Sequence, residues 1–345
     1  MKIKVGINGM GRIGRLTLRA GMRHPDLQFV AVNATTDAAT LAHLLKYDST
    51  QGRWDADVTY DDEGLIIDGQ HIRLISDRNP RNIPWGDLGV DIVLEATGQF
   101  TTREEARVHL DQGAKKVLIT TAAKSDDLMI VYGVNHKLYD PDVHHVVSSS
   151  SCTSNCLAPI IAVLMETFGI VEGAMTTVHS FTSDQRSLDN PHKDLRRARG
   201  ASQSIVPTTT GAAKAMAKIF PELKGKLNGI SLRVPTPTVS IVDLTVTLSK
   251  PATVEALNEA FQQASMSDLQ GILGVSDEPL VSIDYVGDAH SCVIDQLSTM
   301  VIGERTAKIF GWYDNEMGFA YRMVDLLSYI GKQSLILDEI GERSR

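Results

Sequence analysis

The segment Ile3 to Asn8, "IKVGIN", is a short apolar run that ends directly in Gly9-Met10-Gly11-Arg12-Ile13-Gly14. The residues that follow, "RLTLRAGM", carry apolar side chains at helical spacing. A buried strand, a Gly9-x-Gly11-x-x-Gly14 turn and a helix opening at Arg12 and Ile13 constrain the chain to a β-α-β unit, because parallel strands need a crossover helix between them. In that setting the glycines permit a tight turn and close approach of backbone to a pyrophosphate, and the first helical N–H groups face the phosphates. The feature predicts a dinucleotide site.

The alternation continues through "LQFVAVN", a helix opening near Asp37, and strands at "DIVLEAT" and "KKVLIT". This predicts an α/β fold whose N-terminal part is a Rossmann-type, doubly wound parallel sheet. From Cys152 onward the strands lengthen and alternate, at "GAMTTVHSF", "NGISLRVP" and "VSIVDLTVTL", with helices at "TGAAKAMAKIF" and "TVEALNEAFQQA" between them. That pattern predicts an α+β catalytic domain with a mostly antiparallel sheet and helices on one face. The expected division is 1–151, joined by a C-terminal helix of about 316–345, and 152–315. A chain of 345 residues has room for two such domains, and 43% hydrophobic against 22% charged residues is ordinary for a globular protein. The formal net charge of -8 argues against nucleic acid or an anionic membrane as the main partner. No signal-peptide pattern or apolar run of about 18 residues is present. Three cysteines without a disulfide framework point to a reducing, cytoplasmic compartment.

A dinucleotide fold that prefers NAD usually ends its second strand in an acidic side chain that holds the adenosine ribose. Here that position reads Asn33-Ala34-Thr35, and Asp37 fits better as the cap of the next helix. Without a carboxylate to repel a ribose 2′-phosphate, NADP is the expected preferred cofactor, with NAD as the other.

"SSSSCTSNCLAPI" places Cys152 in the first turn of a helix capped by Ser151 or by Cys152 itself. A thiol there sits at the positive end of the helix dipole, which lowers its pKa, so Cys152 looks activated. The residues alone leave Cys152 between nucleophile and small core filler, and read Cys156, one turn on, as core. His179 ends a strand 27 residues after Cys152, and a Cys and a His brought together by the fold are the minimum for an activated thiolate. Downstream, Thr182, Arg197, Thr210, Gly211 and Arg233 fall in loops or at element ends, and hydroxyl and Arg groups near a helix N-terminus suit a phosphate. "DLRRARG" by itself reads as a salt-bridged surface loop. No Cys/His set has metal-ligand spacing, so no metal is expected.

Taken together, "INGMGRIGR", "LAHLLKYDS", "SCTSNCLAP", "TTVHSFT", "HKDLRRAR", "PTTTGAAKA", "LRVPTP" and "WYDNE" resemble the phosphorylating glyceraldehyde-3-phosphate dehydrogenases. Asn33-Ala34 is similar to the NADP-preferring, gluconeogenic-type members. The resemblance implies a homotetramer, with a C-terminal helix packed on the first domain. It implies that Cys152 attacks the aldehyde to give a thiohemiacetal while His179 takes the proton. Loss of hydride to NAD(P) then gives a thioester, which inorganic phosphate cleaves. It also implies two anion sites for glyceraldehyde 3-phosphate and phosphate, built from Thr182 and Arg233 and from Ser151, Thr153, Arg197, Thr210 and Gly211. Asn315 matches the residue that holds the nicotinamide carboxamide, and Arg12, Ile13, Arg78 and Thr120 match other cofactor contacts. Ser149 and Ser154 depart from the usual Asn and Thr beside the nucleophile. Phe319 stands where Tyr is frequent, a feature shared with erythrose-4-phosphate dehydrogenases, the alternative within enzymes. A catalytically silent nucleotide-binding sensor or scaffold is the alternative outside them. The tail from 331 reads as a terminal helix of no assigned function.

Overall fold

The computed structural model describes residues 2–343, with side chains through 334. The chain divides into two compact units, Met1–Tyr132 with His136–Ser150 and Ala320–Arg345, and Gly133–Asn135 with Ser151–Phe319.

The first unit is built on a nine-stranded sheet. At its centre β1 (Ile3–Asn8) lies parallel to β2 (Leu27–Asn33) on one side and to β3 (Ile92–Glu95) on the other. Every residue of β3 is buried, as expected for a strand covered on both faces. Beyond β3 come Lys116–Ile119, Val146–Ser148 and Leu128–Met129, all parallel. Beyond β2, Gln70–Ile75 is parallel, but Gly64–Ile67 and Val58–Tyr60 add an antiparallel edge that the helix–strand alternation does not show. The helix α1 (Arg12–Gly21) follows the glycine turn directly. The C-terminal helix Met317–Arg343 buries Met323, Val324, Leu327 and Ile330, and a Cβ at Gly331 would stand 2.4 Å from Ile3, so it packs closely on β1. Residues 344 and 345, the end of the tail read as a terminal helix, lie outside the described residues.

The second unit opens with α2 (Cys152–Thr167) and an eight-stranded sheet. Its elements include β4 (Ile170–Ser180), β5 (Val206–Thr209), α3 (Ala212–Ile219), β6 (Leu227–Val234), β7 (Ser240–Leu248) and β8 (Thr306–Tyr313). The pairs β4/β7, β7/β8 and β5/β6 are antiparallel, whereas β4/β6 is parallel. Along β7 buried residues alternate strictly with half-buried ones, the mark of a sheet with one covered face. On that face α2 approaches β8 at Gly311, where an added Cβ would meet Ile160 at 2.9 Å and the Cys156 sulfur at 3.2 Å. Cys156 is thus core, as its sequence position suggests. Among the described residues no helix is long and apolar enough to cross a membrane.

Candidate active site and cofactor cleft

At the carboxyl ends of β1, β2 and β3 a cleft of about 660 Å³ opens, the place where ligands bind in open α/β sheets. Gly9, Gly11, Asn33, Ala34 and Arg78 line it, together with Asn8, Thr35, Asp77 and Thr97. Gly9 has φ 101° and its missing Cβ would stand 2.7 Å from the Thr97 nitrogen, so both backbone conformation and space exclude a side chain. A Cβ at Gly14 would reach the Gly9 carbonyl oxygen at 2.1 Å, which is how α1 packs tightly against the turn. At Gly11, the N-cap, an added Cβ meets nothing within 4 Å, and no side chain caps the helix. The space at Gly11, at the start of α1, is open to a phosphate, so the chain's residues fit a dinucleotide.

Other predicted cofactor residues are engaged elsewhere. The Arg12 guanidinium pairs with Asp48 and donates to the Thr50 hydroxyl at 2.5 Å; burial raises the Asp48 pKa, but Arg12 and the Gln51 and Thr50 N–H groups hold it well below the carboxylate range. Asn33 donates from Nδ2 to Asn8 Oδ1 and to the Asp77 carbonyl, and its Oδ1 accepts from the Asp77 N–H. Thr120 is buried and donates its hydroxyl to the Glu95 carbonyl at 3.1 Å.

In the second unit Ser151 is the N-cap of α2: its hydroxyl accepts from the Ser154 N–H at 3.1 Å, so the cap is Ser151 and not Cys152. The Cys152 sulfur stands 3.4 Å from His179 Nε2, at the end of β4. His179 Nδ1 and Arg233 Nη1 both reach the Ser180 carbonyl, at 2.7 and 3.0 Å, and Arg233 Nη1 stands 2.8 Å from that Nδ1. The parallel β4/β6 pairing sets this contact, because His179 and Arg233 are register partners. Burial and the Arg233 charge push the His179 pKa down to about 3, which keeps the imidazole neutral. Burial also pushes the Cys152 thiol up, against Arg233 and the Thr153 hydroxyl and N–H, which pull it down. The expected lowering of the Cys152 pKa by the helix start is not what this environment gives, because desolvation opposes the dipole.

The remaining predicted residues divide by what already holds them. Asn315 Oδ1 accepts from the hydroxyls of Ser180 and Ser240, both at 2.9 Å, which fixes the orientation of the amide with Nδ2 as its donor. The Thr153 hydroxyl lies 2.9 Å from the buried Tyr313 hydroxyl, itself 2.8 Å from Thr177. Arg197 pairs with Asp184, lies near Asp194 at 3.7 Å, and donates to Thr208 at 2.9 Å. Gly211 is the N-cap of α3 with no side-chain cap and open space over it, and the Thr210 hydroxyl accepts from the Ala212 N–H. Thr182 sits half-buried in the loop after β4.

The model of the family "Glyceraldehyde 3-phosphate dehydrogenase, NAD binding domain" matches residues 3–103, and that of its C-terminal domain matches residues 151–315. The chain belongs to the glyceraldehyde-3-phosphate dehydrogenase family. It is similar to the glyceraldehyde-3-phosphate dehydrogenase of Geobacillus stearothermophilus, 58% identical over 97% of this chain and 100% of that one. Two Bacillus subtilis proteins, glyceraldehyde-3-phosphate dehydrogenase 1 and 2, are 53% and 51% identical over 97% and 96% of this chain, and over 100% and 97% of their own lengths.

Within a glyceraldehyde-3-phosphate dehydrogenase chain, several supporting residues escape a sequence reading. Ser180 and Ser240 orient Asn315, Tyr313 anchors Thr153, and Asp184 and Asp194 hold Arg197. "HSF" and "WYDNE" place Ser180 and Tyr313 beside recognised residues, a signal of position without a signal of role.

Proposed function

We propose that the chain catalyses the reversible oxidative phosphorylation of D-glyceraldehyde 3-phosphate to 1,3-bisphosphoglycerate. The observation that carries this is the Cys152 sulfur 3.4 Å from His179 Nε2 at the start of a helix, in a chain of this family. The first unit is the dinucleotide-binding domain and the second is the catalytic one.

For His179 to act as base, Nε2 carries the lone pair and Nδ1–H is donated to the Ser180 carbonyl, which requires Arg233 Nη1 to donate to that same carbonyl and not to Nδ1. Cys152 transfers its proton to Nε2 as the sulfur attacks the aldehyde carbon, giving a thiohemiacetal. The Cys152 N–H and protonated His179 stabilise the developing oxyanion. A bound nicotinamide supplies the acceptor for the hydride that the thiohemiacetal carbon loses, which leaves a thioester on Cys152. Inorganic phosphate then attacks the thioester carbonyl, forming the acyl phosphate and restoring Cys152. Thr182, Arg233, Arg197, Thr210, Gly211, Ser151 and Thr153 form the pool that serves the two phosphate sites. The open space over Gly211 at the start of α3 supports that assignment most directly. Asn315 Nδ2 is set to donate to the nicotinamide carboxamide.

NADP is the preferred cofactor. The end of β2 presents Asn33, Ala34 and Thr35 where an acid would repel a 2′-phosphate, and the carboxylate of Asp77, which also lines the cleft, is taken up by the Asn79 N–H and Asn82 Nδ2. The chain works as a homotetramer, as the resemblance to the family implies, and in the cytoplasm, which three free cysteines fit.

Initial rates of glyceraldehyde 3-phosphate oxidation, at saturating phosphate with NADP or NAD, test the proposal. A higher kcat/KM with NADP is expected, and Ala34→Asp shifts preference toward NAD. Clear NAD preference would make Ala34 a tolerated departure, and no rate with either cofactor would overturn the activity.

A further inference from the structure

Four hydrogen-bond donors converge on one buried carboxylate beneath the cleft. Glu95 ends β3, is 1% exposed, and is the register partner of Asn8 at the end of β1. Its Oε2 accepts from Asn8 Nδ2 at 2.7 Å and lies 3.0 Å from His109 Nε2. Its Oε1 accepts from the Thr97 N–H at 2.8 Å and from the Thr97 hydroxyl. Behind His109, which is fully buried, Trp85 Nε1 stands 3.0 Å from Nδ1. An indole nitrogen can only donate, so Nδ1 is the acceptor and Nε2–H is donated to Glu95. On the other side Asn33 Nδ2 donates to Asn8 Oδ1 at 2.7 Å, and the Asp77 N–H donates to Asn33 Oδ1 at 3.1 Å.

Every bond in the two branches, Trp85 to His109 to Glu95 and Asn33 to Asn8 to Glu95, therefore runs toward Glu95. Only a carboxylate, which has acceptors alone to offer, satisfies all four donors. Asn8, Asn33, Asp77 and Thr97 line the cleft, while Glu95, His109 and Trp85 do not. The Gly9 turn rests against Thr97, since a Gly9 Cβ would stand 2.7 Å from the Thr97 nitrogen, so a shift of Thr97 passes directly to that turn.

We propose that Glu95 is a positioning residue for the cofactor: held by His109, its carboxylate fixes Asn8 and Thr97 on either side of the Gly9 turn and so sets the shape of the dinucleotide cleft. This rests on the reading of the cleft as the dinucleotide site. The hydrogen-bonded network reaches bound cofactor through Glu95, because His109 and Trp85 have no face on the cleft, while the His109 ring also packs edge-on against Phe100, which lines it.

The test is titration of the full chain with NADP and with NAD in the absence of substrate, for wild type, Glu95→Gln, His109→Leu, His109→Gln and the double variant Glu95→Gln/His109→Leu. Glu95→Gln leaves one acceptor oxygen among four donors and adds a donor of its own, and raises the cofactor Kd about tenfold or more. At saturating cofactor its kcat stays within about twofold of wild type, and iodoacetamide alkylates Cys152 in the cofactor-free chain at the wild-type rate. His109→Leu raises Kd as well, His109→Gln restores an N–H toward Glu95 and recovers most of the affinity, and the double variant is no weaker than Glu95→Gln alone. A purely structural role would instead lower the melting temperature and leave Kd unchanged, and additive effects of the two substitutions would likewise overturn the proposal. If Glu95→Gln does not fold, the His109 pair decides: equal Kd values for wild type and His109→Leu overturn it. A wild-type chain that binds neither dinucleotide overturns the reading of the cleft itself, whereas unchanged Kd in the variants beside a binding wild type overturns the role of Glu95 alone.

Discussion

The helix α1 begins at Gly11 with no side chain over its first turn, and α2 begins at Ser151, whose hydroxyl takes the Ser154 N–H. Both starts present the positive end of a helix dipole to an anion, but the anions differ in origin. Over Gly11 the space is empty of protein, which suits a phosphate arriving from solution. At Ser151 the serine cap holds the first turn, whose Cys152 sulfur stands 3.4 Å from His179 Nε2. A third helix, α3, starts at Gly211 like α1, again with open space. The two glycine caps thus leave open space over their helices, and the serine cap holds the turn that carries Cys152.

The comparison is tested most severely at the base. His179→Asn removes the proton acceptor and lowers kcat by about 10²- to 10⁴-fold, while cofactor Kd, which depends on the Gly11 turn, stays at the wild-type value. A matching loss of cofactor affinity would show that the two starts are not independent. The same residue shapes acid stability. Its folded pKa is pushed down to about 3 from an ordinary 6.5, by burial first and Arg233 second. Between those values the unfolded chain binds the proton and the folded chain does not, so stability falls as pH drops from 6.5 toward 3. This one group contributes a slope of up to about 1.4 kcal/mol per pH unit, which denaturant titrations of His179→Asn should lack.

Smaller effects separate the two glycines of the turn. Gly9→Ala strains a backbone at φ 101° and drives a methyl toward the Thr97 nitrogen, so it costs more than about 1 kcal/mol of stability and weakens cofactor binding with it. Gly11→Ala meets no protein atom within 4 Å, so thermal melting changes little while cofactor Kd rises because the methyl takes the ligand's space. If Gly11→Ala bound cofactor as wild type does, the space over α1 would not be the phosphate site.

The glycine turn is legible in sequence because its information is local: strand, turn and helix follow one another within twelve residues, Ile3 to Gly14. The caps at Asp37 and Ser151 are legible for the same reason. What sequence does not show is which side chains are already engaged. Arg12, which matches a cofactor contact of the family, is paired with Asp48, and Thr153, which matches a residue of the anion sites, is bonded to Tyr313, 160 residues away. The parallel pairing of β4 with β6 is equally hidden, because alternating burial looks the same in either direction, yet that pairing is what sets Arg233 against His179. The antiparallel edge at 58–67 is missed because short strands beside charged turns carry little periodic signal.

The central claim is that Cys152 carries the reaction as an acyl thioester formed with His179 as base. Rapid mixing of the full chain with glyceraldehyde 3-phosphate and NADP in the absence of phosphate tests it, followed by mass analysis of the quenched protein. The account predicts a burst of one reduced cofactor per chain and an acyl group on the Cys152 peptide that added phosphate releases. No burst, or an acyl group on Cys156 or Cys292 instead, would contradict it.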